Sequence, residues 1–322
     1  MRRRAVLPAA AIALAASSVA FAQPAEWQPT KPIRIVVPFA PGVSPDVVAR
    51  MLAEPLGQAL KQPVVVDNRP GAAGIIGADA AAKSAPDGTT IFLTVNSIMG
   101  INPNVYAKLP YDTFRDFVPV TQVVLVPYVL VTGAAQPFAS LQDLIAKAKA
   151  APGTIDYGSL GIGSGPHVVM EMMNNMAGAK MNHIPYKASP VADVIAGQVP
   201  LYFDPATTAI PMVRSNRLRA LAVTSRQRLA QLPDVPTVAE LLPGYDGDGW
   251  QGVYVPAGTP KEIVARFHKE ITAALKRPEV QAKLVDLGLQ PVGNSQAEFE
   301  AVSRREVEKW GRIARQNNIR VE

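Results

Sequence analysis

Two parts of this chain are written to the same rule, and that rule limits the fold more than any other feature. The run Ile33-Arg34-Ile35-Val36-Val37 reads as a short buried strand; the loop Pro38-Phe39-Ala40-Pro41-Gly42-Val43 follows, and Ser44-Pro45 opens an apolar-periodic helix over 45–60. Later a strand over 154–157, the loop Gly161-Ile162-Gly163-Ser164-Gly165-Pro166 and a helix over 166–177 repeat the order. A strand that feeds directly into a helix cannot return as a hairpin partner. The next strand comes back parallel, with helices covering the sheet. The repetition predicts two such lobes, and 322 residues, 48% of them hydrophobic, are enough to give each its own core.

The same grammar fills the intervals. In the first lobe a strand is predicted from Val64, a helix from Gly71-Ala72-Ala73-Gly74 to about 83, and a strand over 89–95 closed by Asn96-Ser97. In the second, a helix is predicted over 141–150 and strands over 183–186, 199–203 and 218–223. The stretch 117–132 holds two apolar runs split by Pro127, long enough to leave one sheet and enter another. A Pro/Gly/Asp-rich passage over 224–249 carries the chain back to a strand over 250–255, and the remainder reads as helix. The first lobe is therefore expected to be discontinuous, 23–124 plus 227–322, around a second lobe at 125–226. Thr259-Pro260-Lys261-Glu262 and Ser295-Gln296-Ala297-Glu298 both read as reciprocal caps at helix starts. The spacing of Phe267, Ile271, Ala274 and Leu275, and of Phe299, Val302, Trp310 and Ile313, is that of core-facing helical stripes.

Met1-Arg2-Arg3-Arg4, an apolar run to Ala20 and the small-x-small Ala20-Phe21-Ala22 form an export signal, with cleavage expected after Ala22. Removing its three arginines from the 32 Lys and Arg leaves 29 against 26 acidic residues, an excess of three. So mild a surplus does not describe a nucleic-acid binder, and no basic block or zinc-finger spacing is present. It suits small anions.

Most chemistry is excluded by residue type. Without cysteine there is no disulfide, thiolate metal site or Cys nucleophile. His167, His183 and His268 are scattered, and His167 with Glu171 at helical spacing lacks further ligands, so no metal is expected. No phosphate-cradling or dinucleotide fingerprint appears, so no cofactor is expected either. Ser159 and Ser164 lie near His167, but Tyr157 and Ile162 stand where a nucleophile elbow needs glycine. A serine hydrolase with a triad drawn from distant segments stays as the enzyme alternative; no catalytic residue is assigned.

The repeated motif is itself a binding device. Gly42-Val43-Ser44-Pro45-Asp46 and Gly161-Ile162-Gly163-Ser164-Gly165-Pro166 each place a glycine loop and a capping serine before a helix with an early proline. A helix start offers unpaired N–H groups and the positive end of its dipole, so it binds a carboxylate without arginine. In open parallel sheets such loops lie at the carboxyl edge of the strands, where ligands collect. Asn96 and Ser97 add neutral polar groups on the first edge. Asp204, at the end of a strand, is a candidate to receive an ammonium or order a water, or simply to cap the turn Pro205-Ala206-Thr207.

At these residues the chain resembles the Bug/TctC family of periplasmic receptors associated with tripartite tricarboxylate transporters. The marks run from Ile33 to about Val292. They include Pro38-Phe39-Ala40-Pro41-Gly42 with Asp46 and Arg50, Asn68-Arg69-Pro70-Gly71, Tyr157-Gly158-Ser159 with Gly163-Ser164 and His167, Pro185-Tyr186-Lys187, and Pro256-Ala257-Gly258-Thr259-Pro260. The resemblance implies an α/β, two-lobed periplasmic binding protein of type II-like form, each lobe a mainly parallel sheet flanked by helices, with crossover strands. It implies ligand contacts from Phe39, Ala40, Gly42 and Ser44, with Asp46 steadying the helix start, and from Ser97, Ser159, Gly161, Gly163, Ser164 and Asp204. The family's second glycine is replaced here by Val43, and Pro45 stands where Thr is common. A valine at that position is expected to disfavour positive φ and narrow the loop. The implied protein is a periplasmic monomer that takes a small organic acid or amino acid and delivers it to membrane permease subunits. A sensor that passes its closed form to a signalling protein is the alternative.

Overall fold

The structure is a computed structural model that describes residues 26–321. The export signal and its cleavage point lie outside the described residues. Eleven described strands build two sheets: β1 (Ile33–Val37), β2 (Val64–Asn68), β3 (Thr90–Val95), β4 (Phe117–Val126), β5 (Tyr128–Gly133), β6 (Asp156–Ser159), β7 (Asn182–Pro185), β8 (Leu201–Pro205), β9 (Leu218–Val223), β10 (Gly249–Pro256) and β11 (Gln290–Pro291). The first sheet runs β11-β4-β10-β3-β1-β2 and the second β7-β6-β8-β5-β9.

Each sheet has two halves. β2, β1 and β3 are parallel, as are β7, β6 and β8, and these are the strands that feed helices. The antiparallel halves, β10, β4 and β11 in one sheet and β5 and β9 in the other, contain the strands on which the chain changes sheet. Pro127 alone separates β4 from β5. Having no N–H for either ladder, it ends one sheet and starts the next. The return crossing lies between β9 and β10, so both sheets are mixed rather than uniformly parallel.

Both faces of each sheet are covered. Ile35, Val37, Leu52, Leu56, Val253, Phe267 and Ile271 form one buried cluster under the helices Ser44–Leu60 and Lys261–Leu275, while Phe92, Phe117, Trp250, Tyr254 and Phe299 fill the opposite face. In the second sheet Leu130, Tyr157, Val169 and Phe203 are buried on one side, and Val131, Tyr202 and Ile210 on the other. Each such side chain contributes on the order of 1.5–3 kcal/mol by leaving water. The last helix, Gln296–Gln316, belongs to both cores: Phe299 packs into the first lobe's and Trp310 and Ile313 into the second's.

Several local expectations change. Ser295 and Glu298 make the reciprocal cap as predicted, but Thr259 does not. Its helix begins at Lys261 with Pro260 as the cap, and the Thr259 hydroxyl instead donates to Pro256 O at 2.7 Å. Gly71–Gly74 does not open a helix. All four residues have positive φ (129°, 47°, 51° and 84°), so a left-handed turn precedes the helix Ile75–Ala82, at about 1–2 kcal/mol for each of the two alanines. The segment after Asp204 is no isolated turn; it is the helix Ala206–Arg214.

Candidate functional site: two uncapped helix starts

The first-lobe loop is held from beneath by Asp46. Its buried carboxylate accepts from Gly42 N–H at 2.8 Å, Arg50 Nε at 3.0 Å and Asn68 Nδ2 at 2.9 Å; Asn68 Nδ2 also reaches Phe39 O at 3.0 Å. Burial pushes the Asp46 pKa up, and the hydrogen bonds from Arg50, Gly42 and Asn68 outweigh it, so the carboxyl titrates below its usual range. Asp46 is committed to the loop, and Phe39, Ala40 and Gly42 above it are half-buried or exposed.

Ser44 is not the cap. Val43 occupies that position with no capping hydrogen bond, Ser44 is the first helical residue, and the first main-chain bond runs from Val47 N to Val43 O. Val43 has φ −83°, an ordinary extended conformation, so the residue needs no glycine; Gly42, at φ 86°, takes the left-handed position instead. The valine side chain is 42% exposed. Because Pro45 has no N–H, the Ser44 and Asp46 amides are the groups left over, and they have no acceptor among the described residues.

The second-lobe start is built alike. Ser164 is at the cap position, but its hydroxyl donates to Gly161 O at 2.7 Å and caps nothing. The first main-chain bond runs from Val168 N to Ser164 O, which leaves the Gly165 and His167 amides without acceptors among the described residues. Gly161 and Gly163 take positive φ, 107° and 75°. Two histidines brace this loop: Gly163 N–H donates to His167 Nδ1 at 3.0 Å, and the His167 and His183 rings stack 3.7 Å apart. Burial holds the His167 pKa down to about 3, with His183 adding to the effect, and burial holds His183 down to about 4. Both are neutral, as the acceptor role of Nδ1 requires.

Ser159 Oγ lies 2.6 Å from His183 Nε2, which is a nucleophile-to-base distance. The serine, however, is fully buried, and its hydroxyl is tied to Gly161 O and Gly161 N–H at 3.0 Å each. It shapes the loop. Glu171, at helical spacing from His167, accepts from Tyr157 and Asn174.

Each helix start touches a strand on which the chain changes sheet, the first on β10 and the second on β5. Gln251 Nε2 donates to Ser44 Oγ at 2.7 Å. Gly165 rests against Tyr128: a Cβ there would lie 2.3 Å from the hydroxyl, and one at Gly249 3.1 Å from it. Gly249 and Gln251 are two residues apart, about 7 Å along a strand. Ser97, half-buried beside buried Asn96, opens the helical turn that follows β3, the parallel neighbour of β1 and the antiparallel neighbour of β10. Asp204 ends β8. Its Oδ1 accepts from Thr208 at 2.6 Å, its Oδ2 is buried with no partner, and burial pushes its carboxyl up to about 7. Gln251 and Tyr128 were not predicted. The one available signal was a lone carboxamide within the otherwise apolar Trp250–Val255 run.

Two α/β lobes crossed by paired strands, each presenting a glycine loop and a free helix start, define the solute-binding class of protein. More narrowly, the chain belongs to the TctC family: the tripartite tricarboxylate transporter family receptor profile matches residues 48–319. BugT of Bordetella pertussis is 37% identical over 314 residues, covering 96% of both chains. The Rhodopseudomonas palustris protein Rpa4515, solved with adipate, is 34% identical with a TM-score of 0.82, covering 91% of this chain and 99% of its own. MatC of the same organism, solved with bound malate, is 27% identical with a TM-score of 0.77, over 88% and 99%. Among the described residues no helix is long and apolar enough to cross a membrane.

Proposed function

We propose that this protein is a periplasmic receptor that closes its two lobes, 23–124 with 227–322 and 125–226, on a small carboxylate and delivers it to the permease subunits of a tripartite tricarboxylate transporter. The observation that carries this reading is the pair of uncapped helix starts, one bonded to Gln251 on β10 and the other set against Tyr128 on β5. Each offers amides that nothing else in the described chain uses, and a single anion between them is held only when the lobes approach. The contacts are Phe39, Ala40, Gly42, Ser44 and Ser97 on one side and Gly161, Gly163, Ser164 and Asp204 on the other, with Asp46 and the buried Ser159 acting through their loops. With its carboxyl near 7, Asp204 carries a proton that its free Oδ2 can donate to a second acidic group. Val43, Leu160 and Ile162 are exposed apolar side chains on the two loops and suit a ligand with an aliphatic stretch. The adipate and malate in two relatives are acids of this kind.

The test is a thermal-shift screen of the mature chain against C3–C8 mono- and dicarboxylates. A ligand at a hundred times its Kd stabilises the folded state by about 2.7 kcal/mol. A panel in which no carboxylate raises the transition overturns the proposal.

A further inference from the structure

Gln251 is the one carboxamide in β10, a strand otherwise made of glycine, aromatic and apolar residues with a closing proline. It is 1% exposed, its Nε2 donates to Ser44 Oγ at 2.7 Å, and its Oε1 has no hydrogen-bond partner among the described residues. Leaving half of a buried amide unsatisfied is a cost that structures bear where the other half has a task. The bond also has a direction. A carboxamide nitrogen only donates, so Ser44 Oγ must accept, and the serine's own proton points away from Gln251. That serine is the first helical residue, beside its own unpartnered amide.

We propose that Gln251 is a positioning residue: it makes the Ser44 hydroxyl an obligate donor toward the ligand's carboxylate, so that the first-lobe loop selects an anion over the corresponding neutral amide. The inference rests on the reading of the helix start as a carboxylate site, and it adds the group that sets that site's polarity. Because β10 is a strand on which the chain changes sheet, this group is carried by the hinge rather than by the loop it controls.

The test uses the mature protein with adipate and malate and with their diamides as probes, by calorimetry. Wild type binds an acid at least tenfold more tightly than its diamide. Gln251→Met, which keeps length and burial, weakens acid binding about tenfold; in a Ser44→Ala background the same substitution has no further effect. In Gln251→Glu the new carboxylate takes the serine proton, and the acid-over-amide ratio falls by more than tenfold. Equal losses from Gln251→Met in both backgrounds, or an unchanged ratio in Gln251→Glu, overturn the inference and leave the receptor reading standing. If wild type binds neither the acids of the wider screen nor these probes, the carboxylate site itself fails and the inference falls with it.

Discussion

Gly165 offers a stability test of the site's geometry that needs no ligand. It is the first residue of the second-lobe helix, and its φ is not in the left-handed range, so alanine takes its backbone without strain and gains up to about 1 kcal/mol in helix propensity. The cost is steric. A Cβ at 165 would lie 2.3 Å from the Tyr128 hydroxyl and 3.1 Å from the ring carbon that bears it, and Tyr128 is only 8% exposed, too enclosed to swing aside. Overpacking of this kind costs about 1–3 kcal/mol. With the propensity gain set against it, Gly165→Ala is expected to lose up to about 2 kcal/mol net in urea unfolding. Tyr128→Phe removes the closest contact, so Gly165→Ala/Tyr128→Phe should be more stable than the sum of the single losses by at least 1 kcal/mol, a coupling that a double-mutant cycle resolves. Additive effects in the cycle would refute the claim that this helix start leans on the tyrosine beside Pro127.

Asp204 should make stability depend on pH in a definite direction. Its folded pKa of about 7 lies above the ordinary carboxyl value, so its contribution is fully present below about pH 4 and is lost as pH rises through about 7, on the order of 4 kcal/mol at most. Asp204→Asn should therefore be more stable than wild type at pH 8.5, with the difference vanishing toward pH 4; urea melts showing a flat difference would contradict this. Val43→Gly should bring no gain in carboxylate affinity and a loss of several tenths of a kcal/mol, because the valine already sits at φ −83° and glycine adds only unfolded-state entropy. A rise in affinity in the thermal-shift screen would show that the side chain obstructs the loop.

What the sequence made legible was whatever short-range pattern encodes. Strand-loop-helix order, the Pro127 break, the Ser295 cap and the helical stripes through Phe267 and Phe299 all depend on residues a few positions apart. The misreadings share one cause, which is that a neighbouring residue competes for the same role. Pro260 displaced Thr259 as cap, Val43 displaced Ser44, and Ala72 and Ala73 were carried into left-handed backbone between flanking glycines, against their own preference. The candidate site was legible as two loops but not as one place. Gln251 to Ser44, Tyr128 to Gly165 and His183 to Ser159 are contacts between distant segments, and a lone polar or aromatic residue within an apolar strand does not announce its partner. The stacked histidines are the clearest case, since in sequence they looked merely scattered.

The helix Gln296–Gln316 gives up Phe299 to one core and Trp310 with Ile313 to the other. Neither half can bury its full complement of apolar side chains until this helix has docked. One element thereby completes two cores, and its loss would leave two hydrophobic wounds open at once. Clipping near residue 295 should for that reason be more damaging than the loss of an equally long peripheral segment.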